Sequence, residues 1–169
     1  AYNQVKIAEG HEWKTAVRTQ FGLYEYLVMP FGLCNAPSAF QAMINEVLFE
    51  HLDVSVVVYL DDILIFTPDL ESHKKHVAEV LGKLRDNNLY CKASKCEFFC
   101  DEVEFLGYAI KPGGFAIAPS KVEAVTAWPT PTTRSKVRGF LGSANFCRKF
   151  IQNFSAIARP LTQLTSENV

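Results

Sequence analysis

Val54-Ser55-Val56-Val57-Val58-Tyr59-Leu60-Asp61-Asp62-Ile63-Leu64-Ile65-Phe66 is an apolar, largely β-branched run broken once, by two aspartates. Val and Ile on both sides of a two-residue break predict a buried β-hairpin with Asp61-Asp62 at its tip. The tip is acidic and contains no glycine. Crowding two like charges against apolar strands is costly unless a cation neutralises them, and hard carboxylate oxygens suit Mg²⁺, which completes its shell with phosphate oxygens and water. For an isolated Asp-Asp pair the plainer reading is a solvated turn, so the surrounding chain has to decide.

Working outward, Trp13 to Met29 holds short stretches rich in Val, Thr, Tyr and Phe around Phe21-Gly22, which predicts a second hairpin. Ala36, Ala39, Phe40, Met43, Ile44, Val47 and Leu48 follow at three- and four-residue spacing, the stripe of a helix with one buried face. Beyond the acidic tip, Thr67-Pro68-Asp69 opens a helix carrying Leu70, Val77, Val80, Leu81 and Leu84, which Asn87-Asn88 ends. Cys96–Phe99, Val103–Ile110 and Phe115–Ile117 read as short strands, with Pro112-Gly113-Gly114 turning between the last two. Pro119-Ser120 starts a helix through Trp128, Pro129-Thr130-Pro131-Thr132 is a stiff linker, and Thr133 onward is helical again. The fold class is α+β: a mixed body over residues 1–118 with an antiparallel sheet and packed helices, then a small helical lobe over 119–169.

The chain has 169 residues, 49% of them hydrophobic and 21% charged, which suits a globular fold with a real core. Its net charge of −1 hides an asymmetry: residues 1–118 carry 10 basic against 16 acidic side chains, a net of −6, whereas 119–169 carry 7 against 2, a net of +5. A basic lobe suits a phosphate backbone and an acidic body suits metal ions, although either is also what a solvated face looks like. Five cysteines and no charged-then-apolar leader argue against a secreted disulfide scaffold, and no apolar run has the length of a membrane span. Cys91, Cys96 and Cys100 lack the second pair or following His of a zinc site, and His73 and His76 on one helix read as a solvated face.

Tyr59-Leu60-Asp61-Asp62 within a hairpin is similar to the Tyr-x-Asp-Asp box of reverse transcriptases. Met29-Pro30-Phe31-Gly32-Leu33-Cys34-Asn35-Ala36-Pro37-Ser38-Ala39-Phe40 resembles the family's loop and helix beneath the template and incoming nucleotide. Lys95-Cys96-Glu97-Phe98, Val103-Glu104-Phe105-Leu106-Gly107-Tyr108 and Val137-Arg138-Gly139-Phe140-Leu141-Gly142 follow in the family's order, and Pro30-Phe31-Gly32 in place of the retroviral Pro-Gln-Gly points to gypsy-type LTR retrotransposons. The resemblance covers essentially the whole chain.

It implies a right-hand polymerase, with palm and part of the fingers in 1–118 and thumb in 119–169, acting as an RNA-directed DNA polymerase by two-metal nucleotidyl transfer. Asp61 and Asp62 would be the catalytic and metal-binding carboxylates, for Mg²⁺ or alternatively Mn²⁺. Tyr2, Phe31 and Gly32 would line the nucleotide site, Tyr2 as a steric gate against the ribose 2′-hydroxyl or, on the plainer reading, as a half-buried strand tyrosine. Phe105, Leu106, Gly107 and Tyr108 would form the primer grip. Lys121, Arg134, Lys136, Arg138, Arg148 and Lys149 would be available to backbone phosphates. Lys95 is a weaker candidate for protonating pyrophosphate. The implied partners are an RNA or DNA template with its primer, deoxynucleoside triphosphates, and the fingers and RNase H regions of a parent polyprotein, with no membrane. The setting would be intracellular, in the cytoplasm or in virus-like particles. In this family the first metal-binding aspartate lies four residues before the alanine of the Ala-Tyr pair, here Ala1-Tyr2, so the expectation is a chain that lacks one catalytic carboxylate. The competing expectation is a non-catalytic nucleic-acid-binding remnant.

Overall fold

The computed structural model describes residues 2–166 and divides the chain into two compact units, Ala1–Phe99 and Cys100–Val169. Ala1, on which the reading of the Ala-Tyr pair rests, lies outside the described residues.

In the first unit, strands β1 (Val17–Thr19) and β2 (Gly22–Tyr24) pair antiparallel, so the expected hairpin forms, but its tip is Gln20-Phe21 and its strands are only three residues each. Trp13, expected to begin the strand-rich stretch, lies in a 3₁₀ turn (Glu12–Thr15) instead. Helix α1 (Ala36–Val47) follows, and Ala36, Phe40 and Ile44 are buried at four-residue intervals, with Leu48 next in line just beyond its end. β3 (Val56–Tyr59) and β4 (Asp62–Ile65) form the apolar hairpin, against which α1 and α2 (Leu70–Asp86) pack. The Asp69 side chain caps α2 by accepting from Ser72 N–H at 2.9 Å. Met29, Phe40, Ile44, Leu48, Val56, Val80, Leu84 and Leu89 close the core, each large side chain contributing about 1.5–3 kcal/mol on burial. Gln4 ties the start of this unit to its end, accepting from Tyr90 N–H and donating to Tyr90 C=O, across 86 residues.

Residues 96–99 are not a strand: they follow a 3₁₀ turn (Ala93–Lys95), no neighbouring strand pairs with them, and Phe99 has φ +55°. His73 and His76 are half-buried rather than solvated; Thr67 Oγ1 lies 3.0 Å from His73 Nδ1, and the His51 and His76 rings are 5.8 Å apart.

In the second unit, β5 (Val103–Phe105), β6 (Tyr108–Lys111) and β7 (Gly114–Ile117) form an antiparallel sheet. The stretch Val103–Ile110, expected as one strand, is thus two strands folded back at Leu106-Gly107. Helix α3 (Pro119–Thr126) ends before Trp128, then α4 (Arg134–Phe146) and α5 (Phe154–Gln163) complete the unit. Tyr108 of β6 stacks on Phe146 of α4 at 5.0 Å and 27°, and Phe115 and Phe150 meet Tyr108 at 5.8 and 6.1 Å. This aromatic cluster explains why the compact division falls at Phe99 while the change in charge falls at Ala118. The β5–β7 sheet is acidic in composition at its start, but its apolar packing is with the helices that follow it.

Candidate functional site

The β3–β4 turn places the two aspartates one residue later than expected. Tyr59 pairs with Asp62, so the two-residue tip is Leu60-Asp61, and Asp62 is the first residue of β4. Leu60 carries the turn with φ +54°, a left-handed conformation that costs a leucine about 1–2 kcal/mol. Val56–Val58 and Ile63–Ile65 are buried or half-buried behind it, while Tyr59, Asp61 and Asp62 are exposed. No ion pair among the described residues engages either carboxylate. Strain is held in the backbone at Leu60, and the two acids follow it directly, one in the tip and one at the start of β4.

Gln41 of α1 braces this turn, and nothing in the sequence motifs singles it out. Its Oε1 accepts from Leu60 N–H at 2.7 Å, and its Nε2 donates to Val58 C=O at 3.3 Å and to Asn45 Oδ1 at 2.8 Å. The signal available in the sequence was a polar pair, Gln41 and Asn45, four residues apart beside the buried stripe of α1.

As a donor set, two adjacent carboxylates fit one Mg²⁺ that keeps water and phosphate oxygens in the rest of its shell. Among the described residues no group of three or more His, Cys, Asp or Glu side chains gathers to hold a metal, so no third carboxylate joins the pair and Cys91, Cys96 and Cys100 do not cluster. Burial pushes the Cys91 thiol up, with Cys96 adding in the same direction, which makes it less reactive rather than more.

The structure brings Tyr2 and Phe31 together: their rings lie 5.3 Å apart, and Tyr2 also meets Phe40 edge-on at 5.7 Å. Tyr2 sits in a 3₁₀ turn rather than a strand, half-buried against the core, while Phe31 is three-quarters exposed. Gly32 beside it has φ +100° with open space where a side chain would stand.

Phe105-Leu106-Gly107-Tyr108 is a two-residue turn, with Phe105 paired to Tyr108 and positive φ at both Leu106 (+51°) and Gly107 (+81°). Two left-handed residues in succession are the I′ geometry that matches strand twist. A Cβ on Gly107 would stand 3.0 Å from Phe146 and 3.1 Å from Lys121, so glycine is needed for space as well as for φ. The Gly107 carbonyl accepts from Ala118 N–H at 3.0 Å, which fixes the turn to the start of α3.

All six cations named from the sequence are exposed. Lys121 lies over the Phe146 ring at 6.0 Å, Lys136 donates to Thr132 Oγ1, Arg138 to Thr165 C=O at 2.9 Å, and Arg148 to Ser155 Oγ at 3.2 Å. These partners are neutral, and no ion pair among the described residues engages these four cations. Arg134 opens α4 two residues before Lys136, and Lys149 lies in the 3₁₀ turn after it. Lys95 ends the short 3₁₀ turn of the first unit.

Residues 1–110 match the family model described as reverse transcriptase (RNA-dependent DNA polymerase). The whole chain is 42% identical to the transposon Tf2-3 polyprotein and 41% identical to the transposon Tf2-7 polyprotein, both of Schizosaccharomyces pombe, and spans 13% of the length of each. Among solved structures it resembles a foamy viral protease-reverse transcriptase in complex with an RNA/DNA hybrid, with a TM-score of 0.85 and 27% identity over 97% of this chain and 22% of that one. A second foamy viral structure, in complex with double-stranded DNA, gives a TM-score of 0.88 and 28% identity over 96% and 29% of the two chains. No helix among the described residues is long and apolar enough to cross a membrane. As its motifs led one to expect, the chain belongs to the reverse transcriptase family.

Proposed function

We propose that these residues form part of a polymerase that extends a DNA primer on an RNA or DNA template. The observation that carries the reading is the exposed Asp61-Asp62 pair on a strained turn, engaged by no ion pair among the described residues. Asp61 and Asp62 would hold Mg²⁺. Bound there, the metal supplies activation of the primer 3′-hydroxyl and charge neutralisation on the pyrophosphate leaving group. The remaining work is positioning. Phe31 and Tyr2 offer a packed aromatic surface to a nucleotide, with Tyr2 as the gate against a 2′-hydroxyl, and the Leu106-Gly107 turn offers a rigid edge to the primer end. The exposed cations from Lys121 to Lys149 grip phosphates without reading bases. We assign residues 1–118 to palm and part of the fingers and 119–169 to thumb, in a particle or cytoplasmic setting.

Two carboxylates are fewer than a two-metal site needs, which favours a second reading in which this segment binds primer–template without catalysis. One experiment separates the two. Residues 1–169 alone should bind a primer–template and extend it at background, whereas a longer polyprotein chain that contains them should extend it with Mg²⁺. Robust extension by residues 1–169 alone would show that the described carboxylates suffice. A longer chain that binds but never extends would establish the remnant reading.

A further inference from the structure

We infer that Gln41 is a positioning residue: it sets the conformation of the Leu60-Asp61 turn and, through it, the placement of the Asp61 and Asp62 carboxylates. The catalytic meaning of that placement rests on the polymerase reading above.

β3 pairs only with β4 in its sheet, so its other edge presents unpaired backbone groups. Asp53 N–H satisfies Val56 C=O on that edge at 2.9 Å. Further along that edge, Val58 C=O and Leu60 N–H flank Tyr59 and face in the direction from which a neighbouring parallel strand would bond. Gln41 takes the place of that strand: its side-chain amide, like a peptide group, accepts from Leu60 and donates to Val58. The geometry is over-determined. Both Nε2 protons are used, one on Val58 C=O and one on Asn45 Oδ1, so exchanging the amide's oxygen and nitrogen would set donor against donor at Leu60. Asn45 thereby fixes which way round Gln41 stands. Gln41 and Asn45 are both half-buried, where the loss of a partner is felt.

The site of the brace matters more than its strength. Leu60 is the residue with positive φ, and a leucine left without a partner for its N–H has little to hold it in that region. Letting Leu60 relax would swing the next peptide, and with it the carboxylate of Asp61. Displacements of this size at a reacting centre cost rate far more than they cost binding.

The test has a structural arm on residues 1–169 and a kinetic arm on a longer, active polymerase chain. In Gln41→Leu the Leu60 amide should exchange with solvent about tenfold faster, while interior helix amides such as Ile44 and Val80 keep their protection. In the kinetic arm the same substitution should lower the maximal extension rate about tenfold and leave primer–template affinity and nucleotide KM within about twofold. Adding Leu60→Gly, which adopts positive φ freely, should recover part of the missing rate, a rescue that a substrate-contacting glutamine would not show. An unchanged Leu60 exchange rate, or a loss confined to binding, would overturn the inference. If Gln41→Leu does not fold, Gln41→Asn, one methylene shorter, is read by the same amide and the same rate. A polymerase that is inactive with Gln41 intact would reject the polymerase reading, and the Leu60 amide would still decide whether the brace exists.

Discussion

The two compact units treat charge in opposite ways. Residues 1–99 carry 9 basic against 13 acidic side chains, and five ion pairs lie among them, from Lys83–Glu50 at 2.6 Å to His51–Glu79 at 3.8 Å. Asp61 and Asp62 are left out of that pairing. Residues 100–169 carry 8 basic against 5 acidic side chains, and Lys136, Arg138 and Arg148 bond to hydroxyl or carbonyl oxygens instead of carboxylates. Surface ion pairs contribute little to stability, so the difference is not one of how firmly each unit folds. It lies in the sign of the charge left outside ion pairs among the described residues: acids in the first unit, the adjacent Asp61 and Asp62 among them, and cations such as Lys136, Arg138 and Arg148 in the second, the complements of a divalent metal and of a phosphate backbone.

The comparison breaks most decisively at Asp61. In an active longer chain, Asp61→Asn should lower primer extension on the order of 10³-fold or more while primer–template binding holds; a loss of binding with extension intact per bound primer would place the leftover acids outside the chemistry. The second unit should answer in the opposite way. Replacing Arg134, Lys136 and Arg138 together with Ala should weaken binding to primer–templates of every sequence by roughly 10- to 100-fold and flatten the salt dependence by about one slope unit for each phosphate no longer neutralised, and an unchanged slope would reject the phosphate assignment. A smaller effect sharpens the reading of the first unit: Tyr2→Ala should raise ribonucleotide use relative to deoxynucleotide by roughly tenfold, measured as a ratio of kcat/KM values, and equal discrimination before and after would remove Tyr2 from the nucleotide site.

The smallest effect is one of stability and belongs to the first unit as well. The Ser72 backbone N–H and hydroxyl hold the Asp69 carboxyl below its usual range, and Lys83 does the same for Glu50. A carboxyl depressed in the folded state stabilises it above the unfolded pKa, and that contribution is lost as pH falls through the folded value. Thermal unfolding followed through Trp13, in the first unit, should therefore shift to lower temperature in acid, and Asp69→Ala should flatten that response. An identical pH profile in the variant would show that the α2 cap is not its source.

Much of this was legible because it is written in local chemistry. The stripe of α1, the Asp69 start of α2 and the apolar hairpin follow from spacing and propensity alone. What escaped is what needs a partner in space. Nothing local distinguishes a tip at Asp61-Asp62 from one at Leu60-Asp61, because the register is set by the pairing of Tyr59 with Asp62 and by a brace from α1. Val103–Ile110 looked continuous because Leu106 has no turn propensity; Gly107 and the ring of Phe146 fold the strand back. Residues 96–99 have strand composition but no neighbour to pair with. For the site, motifs located the acids and the cations, while Gln41, whose role is to hold backbone rather than substrate, carried only the faint signal of a polar pair on a helix.

The bridge from Gln4 to Tyr90 has a consequence in time. Its two bonds close a separation of 86 residues, so the segment that bears Tyr2, which Val5 and Ile7 already tie to Met29 and Leu27, gains this further tie only once the end of the first unit exists. At ribosomal rates of about 5–20 residues per second that is a wait of roughly 4–17 s, during which α1 and the β3–β4 hairpin, built from near neighbours, have emerged and begun to order. The tie between Gln4 and Tyr90 is then among the last contacts of the first unit to form. A nascent chain stalled before Tyr90 would have its acidic turn braced by Gln41 while Gln4 still lacks its partner.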